Sequence, residues 1–300
     1  MSISIYKIKK WTRMLTGNSI SHVRQGVGKI FSKNKIEGYY NDLTEKVTKR
    51  SIQANTLPKS QVDNGDVIYF SIEIFQYGLG AYDLYLMNGD KNMLDKAIAC
   101  ADWAVDNQQD NGGWVTFLYE NSTHPYSSMA QGEGISLLVR VYIATSIERY
   151  REAAEKAKIF MLIPIEAGGT TKYDDNDVYL YECTHDPLIL NGWIFSLWGL
   201  IDYCKLTQNT QAQSVLSASL STLEKRLADF DIGYWSMYED DKRISSPFYH
   251  KLHIAQLRAM YDLTGSVIYK EYGDRWEKYQ NNVWYLVKAF VIKAMQKIIE

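Results

Sequence analysis

The chain has 300 residues, of which 46% are hydrophobic and only five are proline, as is typical of a mostly helical globular protein. Its cysteines, Cys100, Cys183 and Cys204, lack CxxC spacing, which excludes a disulfide framework and a cysteine-based zinc site and predicts buried free thiols. Residues 1–60 hold 12 basic and 3 acidic side chains, and the other 240 residues hold 21 and 32. The basic start would suit an anionic membrane surface, a capsule-assembly contact or another polyanion, or else it forms a solvated arm.

We expect residues 1–60 to form a basic N-terminal extension that is partly helical or mobile, and residues 61–300 to form the main domain. The first 17 residues contain lysines but no apolar stretch, so they do not read as a signal peptide. No segment reaches the roughly twenty apolar residues that a membrane-spanning helix needs. These features predict a cytoplasmic location, either free or peripheral to a membrane.

A unit of about sixty residues recurs four times between residues 67 and 280, as is typical of repeat architectures. Its aligned tyrosines, at positions 82, 142, 203 and 261, lie 60, 61 and 58 residues apart. Each unit is predicted to contain a helix, a turn, a second helix and an extended connector. The predicted pairs are Ile68–Met87 with Asn92–Gln109, Ser128–Thr145 with Ile147–Leu162, Leu190–Thr207 with Gln211–Asp229, and Tyr249–Leu263 with Val267–Tyr279. This organisation predicts a mainly α fold, an incomplete α/α toroid of about four helix pairs.

The connectors at residues 112–117, 173–181 and 233–238 begin with glycine or carry alternating aromatic residues, which predicts short strands or hairpins at one rim. Aromatic side chains at a concave rim suit carbohydrate, although they are equally good core residues. The tail Val283–Ile299 is predicted to be an apolar helix that seals the domain rather than contacting lipid.

Three segments carry a resemblance to the glucuronyl C5-epimerase C-terminal domain. Residues 128–132 (Ser-Met-Ala-Gln-Gly) and 138–142 (Leu-Val-Arg-Val-Tyr) resemble a paired motif of that family. Tyr181 followed by Leu-Asn-Gly-Trp at 190–193 is similar to its Tyr…Leu-Asn-Gly-Phe segment. Residues 249–257 (Tyr-His-Lys-Leu-His-Ile-Ala-Gln-Leu) look like its Tyr-His-x-x-His-Ile-x-Gln-Leu segment.

The resemblance implies conversion of D-glucuronate to L-iduronate residues within a heparosan-like anionic polysaccharide, without a cofactor. It implies an α/α toroid that carries the site, usually preceded by β-rich domains, and a homodimer. About sixty residues precede the repeats here, which are too few for those domains.

Inversion at C5 of a uronate removes a proton beside a carboxylate and returns one on the opposite face of the ring. Carried over by the resemblance, Tyr181, Tyr238 and Tyr249 match the active-site tyrosines of the family. In its animal members an acidic residue directly precedes the first of these tyrosines, whereas Leu180 stands there in this chain. Glu182 lies two positions further on, and in an extended strand it would project to the same face. We therefore expect Glu182 to supply the catalytic carboxylate.

Substrate contacts are expected from side chains near these tyrosines. Arg243 is either a clamp for the sugar carboxylate or part of a solvated charge run. His250 and His253 have the spacing of metal ligands on a helix, but no third ligand is evident, so sugar hydrogen bonding or helix capping is favoured over a metal. Gln131 and Asn191 open predicted helices and could meet either backbone groups or sugar hydroxyls.

Two alternatives to the epimerase remain open at this stage. A polysaccharide lyase removes the same proton and then expels the 4-linked sugar, and a glycan-binding relative would carry out no chemistry. The Gly-Leu-Gly at 78–80 lies within a helical pattern, so it does not predict a dinucleotide site, and nothing indicates a nucleic-acid partner. Arg140 is expected to form a structural ion pair.

Overall fold

The computed structural model describes residues 19, 21–50, 56–61, 65–185 and 187–299. In this part of the chain helices predominate, and the paired strands form two short antiparallel hairpins. The predicted mainly α fold is therefore confirmed.

Four consecutive helix pairs make up the repeats, as the sixty-residue period predicts. A short helix precedes them and a longer one follows them. In chain order the helices are α1 (Thr44–Thr48), α2 (Ser71–Asn88), α3 (Lys91–Asp106), α4 (Ser128–Thr145), α5 (Glu148–Met161), α6 (Leu190–Thr207), α7 (Thr210–Arg226), α8 (Pro247–Thr264), α9 (Val267–Gln280) and α10 (Val283–Ile299). Single 3-10 turns lie at Ile165–Ala167 and Leu227–Phe230.

Local chemistry explains where several of these helices begin and end. The side chains of Ser127, Asn209 and Ser246 accept hydrogen bonds from the first free backbone N–H groups of α4, α7 and α8. Gly89 and Gly265 follow α2 and α8 with positive φ angles of 73° and 78°, which glycine adopts without steric cost. These caps fix the boundaries between the paired helices.

The first helix of each pair, hereafter the inner helices α2, α4, α6 and α8, is buried along most of its length. The second helices, α3, α5, α7 and α9, are more exposed. Helices α3, α5 and α9 pack mainly on their own partners, whereas α7 packs on the strand Asp177–Leu180 as well as on α6. Helices α4 and α6 approach most closely at Gly132 and Gly199. A Cβ added at Gly132 would lie 2.6 Å from the carbonyl oxygen of Phe195, so this crossing requires glycine.

The three connectors predicted to be strands differ from one another. Strands β3 (Thr171–Asp174) and β4 (Asp177–Leu180) form the predicted hairpin. The connector at 233–238 contributes isolated bridges only, between Met237 and Ile244 and between Asp231 and Ser236. The connector at 112–117 contains no strand, which corrects that prediction, because its backbone N–H groups at Thr116 and Phe117 both bond to the carbonyl of Pro125. A further hairpin joins β1 (Ser60–Gln61) to β2 (Val67–Ile68).

The described part of the 1–60 extension packs against the repeats. Lys46 and Arg50 pair with Glu73 of α2, and the first of these ion pairs is buried. The Tyr39 ring is fully buried and stacks on Phe195 of α6 at 6.5 Å between centroids. Residues 21–50 thereby connect to helices far apart in sequence.

The expected ion pair of Arg140 is present and wholly buried. Its guanidinium lies 2.5 Å from the carboxylate of Asp202 on α6, and it also donates to the carbonyls of Glu37 and Gly38. Tyr40 and Ser136 donate to the same carboxylate at 2.5 and 2.6 Å. This network joins α4, α6 and the N-terminal segment.

The tail helix α10 contacts α8 and α9, as the sealing interpretation predicts, yet part of it is open to solvent. Trp284 is 82% exposed, and Val283, Val287 and Met295 are each at least half exposed. Across the described residues, each helix is too short or too polar to traverse a lipid bilayer.

Candidate active site

Two of the three predicted tyrosines form a pair. The rings of Tyr238 and Tyr249 lie 4.8 Å apart between centroids and are tilted by 60°. Tyr238 is held in its connector by its backbone N–H, which donates to the carbonyl of Arg243 at 2.8 Å, and by its carbonyl, which accepts from Leu190. Tyr249 is the third residue of α8, in the turn that Ser246 caps. Both phenol side chains are half-buried and remain in contact with solvent.

Glu182 lies beside this pair. It follows β4, is 8% exposed, and packs against the first turn of α6 at Gly192. A helix N-terminus favours a negative charge, because its free N–H groups and the helix dipole point toward it. The charge of Glu182 contributes to the pKa of both Tyr238 and Tyr249. Glu182 is therefore the carboxylate that this site offers to both phenols.

The environment keeps both phenols protonated. Burial, and then the negative charge of Glu182, raise the pKa of Tyr238 well above its ordinary value. The same two causes raise the pKa of Tyr249, and a hydrogen bond from Tyr238 offsets only part of that rise. A phenol in this state holds its proton at neutral pH, so it is a poor base and gives the proton up only to a strongly basic partner such as an enolate carbon. The arrangement thus separates one carboxylate from two phenolic donors.

Two cations approach the face of Tyr238. Arg243 pairs with the buried Glu239, with Nε 2.5 Å from the carboxylate, and its guanidinium carbon lies 5.6 Å from the ring centroid. Lys293 of α10 is 7% exposed and places its Nζ 5.8 Å from the same centroid. Arg243 was predicted from the sequence, whereas Lys293 was not. The apolar tail helix contains three lysines, and nothing in the sequence indicates which of them is directed inward.

Tyr181 lies next to Glu182 in sequence but among different groups. Its side chain is half-buried, and burial raises its pKa, with a further contribution from the charge of Asp240. Its backbone anchors the segment, because the Tyr181 carbonyl accepts from the N–H of Ser128 and its own N–H donates to Thr170. The three tyrosines therefore do not form one ring cluster among the described residues. A catalytic role for Tyr181 stays a prediction.

Polar side chains on the inner helices carry atoms without a hydrogen-bond partner. Both side-chain polar atoms of Gln131 and the Oδ1 of Asn191 are buried in this state. Gln256 donates to the carbonyl of Asn191 at 3.1 Å, while its own Oε1 has no partner. Buried polar atoms are costly unless a ligand or water satisfies them. The predicted substrate contacts at Gln131 and Asn191 are consistent with this pattern.

Glu133 is a further polar residue of the inner helices that the sequence argument missed. It is fully buried, and its Oε1 accepts from the amide of Gln76 at 2.8 Å. Burial is the main cause that raises its pKa well above the ordinary value, and the charge of Glu182 adds to the rise. An acidic residue in the middle of the apolar helix 128–145 was the signal that could have identified it. It places a second buried carboxyl group, whose pKa is raised, near Glu182.

The two predicted site histidines, His250 and His253, are both buried in the core. The Nδ1 of His250 lies 2.8 Å from the hydroxyl of Ser236, its Nε2 lies 3.0 Å from the carbonyl of Trp276, and its ring stacks on Trp235 at 3.7 Å. Because both ring nitrogens are used, this position does not fit the predicted sugar contact of His250. Burial lowers the pKa of His250 to about 4, so the ring is neutral.

His253 is likewise fully buried, and its Nδ1 lies 3.0 Å from the same Ser236 hydroxyl. Its Nε2 is buried without a partner, so a hydrogen bond to substrate stays a prediction for this residue. The described residues contain no cluster of three or more histidine, cysteine or acidic side chains that could hold a metal ion. The thiols of Cys100, Cys183 and Cys204 are buried, as expected, and no disulfide joins them in the described parts of the chain.

Fold and site together define a mainly α protein whose helix pairs hold a carboxylate beside two phenols, a set of groups suited to proton transfer. The family model described as D-glucuronyl C5-epimerase C-terminus matches residues 109–278, which is more than half of the chain. The chain belongs to this family, and the resemblance inferred from three short segments is confirmed.

Two relatives illustrate how far this similarity extends. The chain is 28% identical over 210 residues to the D-glucuronyl C5-epimerase of Caenorhabditis elegans, an alignment that covers 60% of this chain and 34% of the worm protein. It is 29% identical over 167 residues to an uncharacterized protein of Methanocaldococcus jannaschii, which covers 54% of each chain. The chain thus spans about a third of the worm relative and about half of the archaeal one.

Proposed function

We propose that this protein epimerises D-glucuronate to L-iduronate residues at C5 within a heparosan-like polysaccharide. The observation that carries the proposal is the placement of Glu182 against a helix N-terminus, beside the ring pair of Tyr238 and Tyr249. A C5 inversion needs one group that accepts a proton and another that donates one to the opposite face. In this proposal the carboxylate of Glu182 is the proton acceptor, and the protonated phenols are the proton donors.

In the proposed reaction Glu182 removes the C5 proton, and the C–H electron pair moves into the uronate carboxylate to give an enolate-like intermediate. A phenol of the pair then delivers its proton to the other face of C5. This leaves a protonated Glu182 and a tyrosinate. Proton exchange with solvent, for which the half-buried tyrosines are accessible, restores the starting state.

The intermediate carries extra negative charge on the sugar carboxylate, so nearby cations would lower the barrier. Arg243 and Lys293, both close to the Tyr238 ring, are proposed to supply this stabilisation. Gln131 and Asn191 are proposed to orient the ring through its hydroxyls, which would satisfy their buried polar atoms.

The direct test is proton NMR of heparosan and of its N-sulfated form, incubated with the protein in deuterated water. Deuterium at C5 together with iduronate signals is the expected result. An unsaturated uronate with chain cleavage would instead identify a lyase. Polysaccharide binding without any exchange would identify a non-catalytic relative.

Variants assign the roles. Glu182→Gln is expected to lower the exchange rate by about 10²- to 10⁴-fold, the usual contribution of a general base. Tyr249→Phe and Tyr238→Phe are expected to reduce it as well, because each removes a proton donor. Matched controls are Glu152→Gln on the exposed face of α5 and Tyr272→Phe on α9, which should retain wild-type exchange. A wild-type exchange rate in Glu182→Gln would contradict the role of Glu182 as base. Tyr181→Phe tests whether Tyr181 also takes part in the exchange.

A further inference from the structure

A cavity of about 680 Å³ lies next to the tyrosine pair, in the size range of small-molecule sites. Its walls come from the segment 21–50, the first turns of α8 and the tail helix α10. His22 connects it to the candidate site, because the His22 ring packs edge-on against Phe248 at 5.2 Å and Tyr249 at 6.0 Å. A polymer bound at Tyr249 would therefore have this cavity within reach of its neighbouring sugars.

The cavity is basic. Arg24, Lys49 and Lys251 line it, and none of the described lining residues is acidic. Lys49 is partly neutralised by Glu45, 2.7 Å away, whereas Arg24 and Lys251 are exposed and have no ion-pair partner among the described residues. Arg24 and Lys49 come from the basic first sixty residues, and Lys251 comes from the remainder, which is acidic overall. Charge of this sign in a concave surface attracts anions.

Two side-chain oxygens in the wall have no hydrogen-bond partner within the part of the chain that the structure describes. Gln25 is 8% exposed and its Oε1 is buried without a partner, and the Oε1 of Gln280 is in the same state. Amide oxygens accept hydrogen bonds from hydroxyl groups. The rings of Phe248 and Phe290 supply apolar surface between these polar groups. Cations, hydrogen-bond acceptors and apolar faces together match an anionic sugar better than a simple anion.

We infer that this cavity is a subsite for the carboxylate-bearing sugars that adjoin the reacting uronate in the polysaccharide. The inference rests on the proposed function, because it names where the rest of that substrate is held. The residues that line the cavity outside α8 and α9, at 22–49 and 286–290, lie outside the segment that the family model matches.

The test compares a heparosan disaccharide, whose only uronate is the reacting sugar, with a decasaccharide. The variant Arg24→Gln/Lys251→Gln removes two positive charges from the cavity, and Lys91→Gln/Lys156→Gln removes two exposed charges elsewhere as the matched control. We expect the cavity variant to raise KM for the decasaccharide roughly tenfold, as two exposed ionic contacts would. Its kcat and its KM for the disaccharide should change less than about twofold, and the control should match wild type. Gln25→Leu, which removes an acceptor, should also weaken decasaccharide binding.

The subsite proposal would be overturned if the cavity variant left the KM for the decasaccharide unchanged. It would also be overturned if the KM rose equally for the short and the long oligosaccharide. If the wild type shows no C5 exchange, calorimetric Kd values for the same oligosaccharides decide independently. A tenfold weaker decasaccharide Kd in the cavity variant alone supports the subsite even though the epimerase proposal has then failed. Vesicles containing phosphatidylglycerol supply the last comparison. If the cavity variant loses vesicle binding but keeps oligosaccharide binding, the cavity binds lipid headgroups and the sugar-subsite proposal is overturned.

Discussion

A substitution at Gly192 tests whether the position of the Glu182 carboxylate governs the chemistry. Gly192 has helical geometry in α6, where alanine is intrinsically favoured by about 1 kcal/mol. The added methyl, however, would lie 2.5 Å from the Cβ of Glu182 and closer still to its Oε2, whereas ordinary contact begins at 3.4 Å. Rotation of the carboxylate relieves the contact with Oε2 but not the contact with Cβ, so the segment that carries Glu182 must shift away from α6, and we expect the carboxylate to move by about 1 Å.

A displacement of about 1 Å costs roughly 10²-fold in a reaction that depends on alignment. Gly192→Ala should therefore lower kcat for C5 exchange about 100-fold, while circular dichroism shows an intact helical fold. Gly273→Ala is the matched control, because this helical glycine of α9 has only ordinary contacts, the nearest at 3.7 Å. It should keep wild-type kcat and gain slightly in thermal midpoint. A wild-type kcat in Gly192→Ala would refute the dependence on Glu182 position.

The remaining predictions concern stability. Asp202→Asn leaves the Arg140 guanidinium buried without its counterion and should lower the free energy of unfolding by about 3–5 kcal/mol in urea titrations. Glu277→Gln, which breaks an exposed ion pair, should cost less than about 1 kcal/mol, and equal losses would contradict the argument. Burial raises the pKa of Asp83 to about 7, so the wild type loses stability as the pH rises from about 4, where the unfolded chain ionises, to 7. Asp83→Asn should therefore gain roughly 3–4 kcal/mol relative to wild type across that window, and a constant difference would contradict the assignment.

The helices could be predicted because their signals are local. Ser127 and Asn209 cap the helices that follow them, and Gly89 and Gly265 end the helices that precede them. A helix that begins and ends on its own capping residues needs no distant partner to set its limits. The connector at 112–117 lacks such determinants, and it bonds to the nearby residue Pro125 instead of pairing as a strand.

Parts of the site could not be predicted because they depend on distant contacts. Lys293 approaches Tyr238 only because α10 packs back on the repeats, and no local pattern distinguishes it from its neighbouring lysines. His250 carries a motif that suggests substrate binding, yet the stacking of Trp235 on its ring commits it to the core. The basic composition of residues 1–60 allowed a solvated arm as one interpretation, whereas Tyr39 within this segment is fully buried.

The position of Glu182 indicates how the proposed chemistry would fit this backbone. The family resemblance points to an acid at the position of Leu180, but here that residue ends β4 and is completely buried. A carboxylate at position 180 would be desolvated in the core, at a cost of several kcal/mol. Glu182, two residues past the strand, instead lies against the N-terminus of α6, where the helix dipole favours its charge. The same position adds that charge to burial in raising the pKa of both Tyr238 and Tyr249, so one placement would set both the proposed base and the proposed proton donors.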